Sequence, residues 1–254
     1  MGQQLPVLPP AERRSREDLR EVDRHPVATG TDAVIVGNRR NPSAVQADPA
    51  IVEALRALPA AILSDNMGGL VGTSNLRPFH RGGRMAGTAV TVRVRHGDNL
   101  VLHRALDYVR RGDVLVVDGG GVTDQAVTGK IMLTYLESIG AAGIVIDGAV
   151  RGADAIGQRD FPCFARGSTP RGPYKTGPGE INVPVSIDGM EVMPGDIVVG
   201  DGDGVVAFAQ AAAPSLIERA RAQAAKEEDG VRAIREGRWD RSWISPLEEK
   251  LGLK

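Results

Sequence analysis

The sequence has a single cysteine and few aromatic residues. Cys163 is the only cysteine among 254 residues, so an internal disulfide is excluded. One thiol also cannot build a cysteine-rich zinc site, and it is typical of a reducing compartment. We interpret Cys163 as a small buried side chain. Aromatic residues make up only 4% of the chain, too few to predict a base-stacking surface for nucleic acid.

The chain also lacks a surplus of charge and long hydrophobic runs. It carries 31 basic and 32 acidic side chains, which gives no bulk attraction to nucleic acid or anionic lipid. Apolar runs such as 114–117 stop well short of the roughly 20 residues that span a bilayer. The first 25 residues are charged and contain proline, unlike a secretory signal. We therefore expect a cytoplasmic protein that binds neither nucleic acid nor membrane.

Several catalytic and cofactor motifs are missing. The four histidines form no HExxH pair, and no GxSxG elbow occurs. Glycines 119–121 do not form a phosphate loop, because Asp124 stands where its first glycine belongs and Ile131 replaces its Ser or Thr. The dinucleotide fingerprint fails at the same Asp124. Residues 201–204 (DGDG) lack the spaced ligands of a calcium loop and predict a hairpin turn.

What the sequence does contain is 42% hydrophobic residues, enough for a core, and 32 glycines, which indicate many tight turns. We divide the chain into an N-terminal extension (1–45), with a helix expected around 13–22, a main domain (46–236) and a C-terminal tail (237–254). Trp239 and Trp243 give the tail more apolar bulk than a solvated terminus needs, so we expect the tail to dock on another surface.

The main domain first alternates strands with helices. After an amphipathic helix from Asp48, the residue pattern predicts a strand over 86–95, a helix over 99–110 and a strand-helix-strand unit over 114–146. A short helix over 150–157 and a strand around 163–165 repeat the alternation. The predicted fold class is therefore α/β with a partly parallel sheet.

The later part of the domain has a different pattern. Short apolar segments between 183 and 209, joined by Asp-Gly and Pro-Gly pairs, predict antiparallel hairpins. A long helix is predicted to begin at Pro214.

One candidate site lies at Gly129, Lys130, Ile131 and Met132. A glycine ahead of an apolar-periodic helix leaves backbone N–H groups free to bind a carboxylate or phosphate. Lys130 adds a full positive charge there, although a solvated lysine at a helix start is an equally ordinary interpretation.

Arg151 is the second candidate. It follows a predicted strand of the parallel part, and ligands of open α/β sheets gather at such strand ends. An arginine can hold a carboxylate through two parallel hydrogen bonds. The alternative is that Arg151 pairs with Asp154 or Asp147.

Four segments of the chain form a recognisable pattern in a fixed order. They are Ala86 to Val92, Gly112 to Gly120, Val145 to Arg151 and Pro194 to Asp201. Together with Gly97 to Asn99, they resemble the RraA-like family, which includes the 4-hydroxy-4-methyl-2-oxoglutarate aldolases. The resemblance runs from about residue 50 to 235 and leaves the first 45 residues outside it.

The resemblance implies an α/β sandwich of the swivelling-domain type, with mixed sheets and flanking helices, assembled as a homotrimer or homohexamer with sites between subunits. It also implies a lyase that cleaves 4-hydroxy-2-oxo acids to pyruvate and a second oxo acid, and that decarboxylates oxaloacetate. In such enzymes a divalent cation, Mg²⁺ or Mn²⁺, stabilises the pyruvate enolate.

The candidate residues fall on family positions, with two departures. Gly129 to Met132 match the turn that binds the substrate carboxylate, and Arg151 matches the arginine that clamps it. The acidic residue of that turn is Lys130 here, and the metal-binding aspartate after the arginine is Gly152. Asp154 is then the carboxylate left to hold a cation, directly or through water.

These departures leave three functions open. The first is a lyase on short 2-oxo acids that binds its anion without a tightly held metal, with Lys130 polarising the carbonyl or forming a Schiff base. The second is a non-catalytic regulator that binds a protein partner, as some RraA proteins bind an RNA-degrading enzyme. The third is a related enzyme with changed chemistry on a sugar-derived acid.

Overall fold

The structure, a computed structural model, describes residues 36–253. The helix expected around 13–22 lies outside the described residues. The helices are α1 (Pro49–Arg56), α2 (Ala60–Asp65), α3 (Leu100–Ala105), α4 (Lys130–Ser138), α5 (Ala153–Gly157), α6 (Ala213–Arg235) and α7 (Ile244–Lys250), with short 3-10 turns at Leu106–Tyr108 and Gln210–Ala212. The strands are β1 (Arg77–Pro78), β2 (Met85–Val94), β3 (Asp113–Asp118), β4 (Ala126–Thr128), β5 (Gly143–Val150), β6 (Cys163–Ser168), β7 (Gly179–Ile181), β8 (Val185–Ile187), β9 (Met190–Val192), β10 (Ile197–Asp201) and β11 (Gly204–Phe208).

Nine strands form one mixed sheet. Its main path is β1-β6-β5-β3-β2-β10-β11, while β4 pairs with β5 and β7 pairs with β2. Strands β2, β3, β5 and β6 run parallel to one another, whereas β10 is antiparallel to β2 and β11 is antiparallel to β10. Strands β8 and β9 form a separate antiparallel hairpin. The predicted α/β class and the antiparallel hairpins of the later part are confirmed.

One face of the sheet packs against α3, α4 and α5. Helix α4 buries Met132, Leu133 and Leu136 in this core, and burying a leucine side chain contributes about 2 kcal/mol. Cys163 lies in the same core without exposed area. Burial raises the pKa of the Cys163 thiol to about 12. The interpretation of Cys163 as a buried side chain is therefore confirmed.

The other face is covered in two parts. The hairpin of β8 and β9 packs over its centre, and helices α1, α2 and α6 pack over the side nearest β10 and β11. The helix predicted from Asp48 is divided at Pro59, which precedes α2. Asp48 caps α1 by accepting a hydrogen bond from the Ala50 N–H at 2.7 Å, as expected for an aspartate at a helix start.

The predicted boundary between β5 and α5 was wrong. Strand β5 runs to Val150, and the helix expected from Val150 begins only at Ala153. Gly152, with φ of 80°, turns the chain between the two elements. The register of β5 against β6 shifts between Ile146 and Ala149, and β5 continues to Val150 beyond the shift. As a result, Arg151 directly follows the carboxyl end of a central strand.

Strand β4 was not predicted, and it positions the candidate site. Ala126 and Thr128 of β4 lie in parallel register with Ala149 and Val150 of β5. Because both strands end together, the residues that follow them start side by side. The sheet therefore brings the beginning of α4 next to Arg151.

Part of the stretch assigned to the N-terminal extension lies along β7. The Asn41 N–H donates to the Ile181 carbonyl at 3.1 Å, and the Ile181 N–H donates to the Arg39 carbonyl at 2.9 Å. Arg39 also forms a 2.5 Å ion pair with the buried Glu180. Residues 39–41 thus add a short parallel segment to the sheet.

The C-terminal tail carries exposed apolar side chains. Trp239 is 54% exposed and Trp243 is 60% exposed, so docking of the tail stays a prediction. Within residues 36–253, no helix is both long and apolar enough to cross a membrane.

Candidate anion-binding site

The site begins at the N-terminus of α4. Gly129 has an extended backbone (φ −171°) and provides no side-chain cap. Within the described part of the chain, the N–H groups of Lys130, Ile131 and Met132 have no hydrogen-bond acceptor. The first N–H of the helix that is hydrogen-bonded is that of Leu133, which donates to the Gly129 carbonyl. Free N–H groups at a helix start favour an anion.

The side chains of this first turn divide between core and solvent. Met132 is buried and fixes the helix to the core, whereas Lys130 is exposed and Ile131 is 85% exposed. Lys130 can therefore approach a ligand bound at the helix start. Ile131 and Met132 contribute backbone N–H groups rather than side-chain chemistry.

Arg151 packs against Gly129. A Cβ added to Gly129 would lie 3.1 Å from the Arg151 Cγ and 3.2 Å from its carbonyl oxygen. The Arg151 N–H donates to the Thr128 carbonyl at 3.1 Å, which ties the backbone of the arginine to the end of β4. On its other side, a Cβ on Gly172 would lie 3.1 Å from Arg151 Nη1. Because Gly129 and Gly172 lack side chains, the Arg151 side chain has the space that it occupies.

The ion pairs considered for Arg151 are not formed. Asp147 pairs with Arg166 instead, and Asp154 is exposed and forms no ion pair within residues 36–253. The Arg151 guanidinium likewise has no hydrogen bond or ion pair with the described residues. It is therefore available to bind an anion beside the helix start.

The residues around Gly152 do not fit a tightly held metal ion. Gly152 offers no ligand atom, and Asp154 supplies one exposed carboxylate in the first turn of α5. Among residues 36–253, no three His, Cys, Asp or Glu side chains lie close enough to hold a metal. Since Mg²⁺ is octahedral, a single carboxylate would leave most of its ligands to water or substrate. Metal binding at Asp154 stays a prediction.

A network of charged residues beside the site was missed in the sequence. Asp147 of β5 accepts a hydrogen bond from Arg166 and also accepts one from the Asp188 N–H at 2.8 Å. Arg166 donates to Asp188 as well, at 2.9 Å. Arg166 lies near the carboxyl end of β6 as Arg151 follows β5, and this parallel could have indicated it. The pairing itself depends on the register of β5 and β6, which the sequence does not show.

This network holds Asp188 in the ionised form. Burial acts to raise the pKa of Asp188, but hydrogen bonds from Asn75 and from the Ser74 N–H, with the charge of Arg166, outweigh it and lower the pKa to about 2. The hydrogen bond to Asp147 raises the pKa of Arg166. The network therefore ties the turn of the β8–β9 hairpin, which contains Asp188, to β5 and β6.

The glycine-rich turn 119–121 packs against Asp147 and Arg166 of this network. A Cβ on Gly120 would lie 2.1 Å from the His96 ring, and one on Gly121 would lie 3.2 Å from Arg166 Nε. The N–H groups of Gly119 and Gly121 both donate to the Asp147 carbonyl. The glycines are thus explained by close packing and backbone hydrogen bonds, without a nucleotide.

Taken together, the free N–H groups of α4, the Lys130 charge and the unpaired Arg151 form a positively polarised site at the carboxyl ends of β4 and β5. This geometry suits one carboxylate, held by backbone N–H groups on one side and by a guanidinium on the other.

Comparison with known proteins identifies related chains. The family model described as RraA-like, Aldolase/RraA, matches residues 49–207. A protein of Halalkalibacterium halodurans named "Putative 4-hydroxy-4-methyl-2-oxoglutarate aldolase" is 37% identical over 190 residues, covering 74% of this chain and 90% of that protein.

Solved structures agree in fold. The crystal structure of RraAS2 from Streptomyces coelicolor, described as an unusual member of the RNase ES inhibitor RraA protein family, matches with a TM-score of 0.67 at 28% identity, covering 73% of this chain and 97% of that one. An uncharacterized protein of Pseudomonas syringae pv. tomato matches with a TM-score of 0.67 at 30% identity, covering 78% and 96%.

Proposed function

The chain belongs to the RraA-like family, and on that premise we propose that it is a carbon–carbon lyase acting on short 2-oxo acids. The reactions are retro-aldol cleavage of a 4-hydroxy-2-oxo acid to pyruvate and a second oxo acid, and decarboxylation of oxaloacetate. The contact of Arg151 with Gly129 carries this proposal, because it places an unpaired guanidinium beside free helix N–H groups.

The substrate carboxylate binds between Arg151 and the first turn of α4. This orients the adjacent carbonyl group toward the positive end of the helix and toward Lys130. When the carbon–carbon bond breaks, its electron pair moves onto the carbonyl oxygen, and either the 4-hydroxyl loses its proton to water or CO₂ departs. The product enolate is then protonated on carbon to give pyruvate. Positive groups at that oxygen stabilise the charge that develops in the transition state.

Lys130 acts through its charge in this proposal. Replacing the two family carboxylates by Lys130 and Gly152 makes the site more positive, which is also what a bound cation would do. A Schiff base needs a desolvated amine, and Lys130 is exposed in the single chain. Borohydride reduction in the presence of pyruvate or oxaloacetate should therefore leave Lys130 unmodified; an added mass on Lys130 would establish the covalent route.

Oxaloacetate decarboxylation tests the proposal most directly. We expect turnover that persists in EDTA, with Mg²⁺ and Mn²⁺ assayed alongside because the family resemblance predicts them. Arg151→Ala should lower kcat/KM about 100-fold, as expected for losing a charge-assisted double hydrogen bond. Arg104→Ala, which removes an exposed arginine of α3, is the matched control and should retain activity. Absence of turnover with every metal and with EDTA would reject the lyase.

A regulator that binds a protein partner is the second candidate, and Gly152 favours it because the metal-binding carboxylate is gone. Under this function the purified chain would inhibit an RNA-degrading enzyme, as the name of the Streptomyces relative says of its family. Inhibition of such an enzyme by a catalytically silent chain, unaffected by Arg151→Ala, would favour the regulator over the lyase.

The family resemblance also predicts assembly, and we propose a homotrimer or homohexamer in the cytoplasm. Its mass in solution can be measured by light scattering after size-exclusion chromatography. If the site is completed between subunits, dilution to monomer should abolish turnover.

A further inference from the structure

A second group of arginines lines a cleft at the opposite end of the parallel strands. The cleft has a volume of about 420 Å³ and is lined by Arg56, Arg84, Arg111, Gly140, Asp160 and Pro162 among others. Its walls include the residues just before β2, β3, β5 and β6. The candidate site lies beyond the other ends of these strands, so the cleft is separate from it.

Positive charge in this cleft exceeds the negative charge near it. Both Asp160 oxygens already accept hydrogen bonds from Arg81 at 2.6 Å. Arg56 contacts the exposed Glu53 at 3.3 Å, and Arg84 donates to the Ala57 carbonyl.

Arg111 has no hydrogen-bond or ion-pair partner for its guanidinium among residues 36–253. Among the described residues that line the cleft, Asp160 is the only carboxylate, and the nearby Asp113 is already bound by Arg110 and Gln46. Three guanidinium groups around one cavity repel one another, and a bound anion would relieve that repulsion.

A simpler role for Arg111 would be to cap α4, because it packs on Gly140 just after that helix. A Cβ on Gly140 would lie 3.1 Å from the Arg111 Cγ. However, the carbonyls of Tyr135, Leu136 and Glu137 already accept the N–H groups of residues 139, 141 and 140, and the Arg111 guanidinium donates to no helix carbonyl. The N–H donors of Arg111 are thus left for another acceptor.

We propose that this cleft binds a small multivalent oxyanion, bearing either phosphate or several carboxylates. A volume of about 420 Å³ lies within the range of small-molecule sites, and planar guanidinium groups bind such oxyanions through paired hydrogen bonds. Helix α4 runs from Lys130 to Ser138 and separates the cleft from the candidate substrate site by about 14 Å. Both sites can therefore be occupied at once.

Isothermal titration calorimetry with pyrophosphate and, separately, with citrate tests the proposal on the full chain. We expect at least one of the two probes to bind at one site per chain. The probe that binds more tightly identifies phosphate or carboxylate as the recognised group. Arg111→Gln and Arg84→Gln should each raise the Kd about tenfold or more. Arg221→Gln, an exposed position of α6, makes the same charge change elsewhere and should leave the Kd within about twofold.

Arg151→Ala separates this inference from the proposed function. Binding that survives Arg151→Ala and is weakened by Arg111→Gln supports the cleft, whether or not the chain turns over oxaloacetate. The proposal is overturned if neither probe binds at up to about 10 mM, if Arg151→Ala abolishes the binding, or if Arg221→Gln weakens it as much as Arg111→Gln does. Circular dichroism of each variant verifies the fold, and agreement between two separate arginine variants guards against a local distortion at either one.

Discussion

Gly129 and Arg151 are in contact across the ends of two paired strands. A Cβ at position 129 would approach the Arg151 Cγ to 3.1 Å, and the Arg151 N–H is hydrogen-bonded to the residue before Gly129. The position of the arginine relative to the helix start is therefore set by the sheet and by the absence of one side chain.

Gly129→Ala should lower kcat/KM for oxaloacetate about tenfold, because the added methyl group displaces Arg151 by a few tenths of an ångström. The extended φ of −171° at Gly129 suits alanine, so the effect comes from crowding and not from backbone strain. Steady-state kinetics measure it. Gly230→Ala, in α6 with open space around the position, is the control: it should keep full activity and stabilise the chain by about 0.5 kcal/mol. Equal activity of both variants would contradict the importance of this contact.

Restoring the family carboxylates should restore metal dependence. The double variant Lys130→Asp, Gly152→Asp is expected to bind Mn²⁺ and to lose its turnover in EDTA, because it regains two oxygen ligands for a divalent ion. Space exists at position 152, where no atom lies within 4 Å of an added Cβ. An aspartate or asparagine at position 152 would have to adopt the φ of 80° seen for Gly152, which costs about 1 kcal/mol.

The control for that experiment is Lys130→Asp, Gly152→Asn, which carries the same backbone cost without the second charge. It should bind Mn²⁺ at least about tenfold more weakly. Calorimetry gives both affinities. If the double-aspartate variant neither binds Mn²⁺ nor responds to EDTA, Lys130 and Gly152 do not take the place of a bound cation.

Arg166→Met should destabilise the fold by about 3 kcal/mol at pH 7, since it leaves Asp147 and Asp188 without their cation. These aspartate side chains are only 7% exposed, and Arg166 is 22% exposed. Arg232→Met breaks an exposed pair with Asp229 in α6 and should cost less than about 0.5 kcal/mol. Urea unfolding measures both.

The loss in Arg166→Met should shrink in acid. Against the opposing effect of burial, hydrogen bonds from Asn75 and the Ser74 N–H, together with the charge of Arg166, lower the folded pKa of Asp188 from 3.8 to about 2. The ion pair with Arg166 supplies part of that stabilisation, which is present above pH 3.8 and is lost as the pH falls toward 2. A difference between wild type and variant that stayed constant from pH 7 to pH 2.5 would contradict this assignment.

Glu180 should make attachment of residues 39–41 sensitive to acid. The hydrogen bond from Arg39 is the largest influence on the pKa of Glu180. Burial of the carboxylate acts in the opposite direction, and the pKa falls from 4.5 to about 2. A lowered carboxylate pKa means stability that is present above pH 4.5 and lost as the pH falls through 2, about 3 kcal/mol in all.

Arg39→Gln should remove most of that pH dependence, whereas the exposed neighbour Arg40→Gln should not. Free energies of unfolding from pH 7 down to pH 2.5 separate the two variants. If both variants lost stability in acid as the wild type does, Glu180 would not be the responsible group.

The elements that the sequence predicted well are those with a repeating pattern. The alternation over 86–95 became β2, and the apolar spacing after Gly129 became α4. Strand β4 has three residues, too few for any period to be visible, and β5 was ended too early because Gly148 interrupts its apolar run. Both errors affect the site, since these two strands bring Gly129 and Arg151 together.

The sequence by itself determined the family, the α/β class and the identity of the candidate residues, because these depend on local patterns and on motifs in a fixed order. Only the tertiary structure decided that Arg151 is free while Asp147 is bound to Arg166, and that Arg56, Arg84 and Arg111 line one cleft. Partners of charged side chains are chosen by strand register and by packing between distant segments, and neither is encoded in the spacing of residues along the chain.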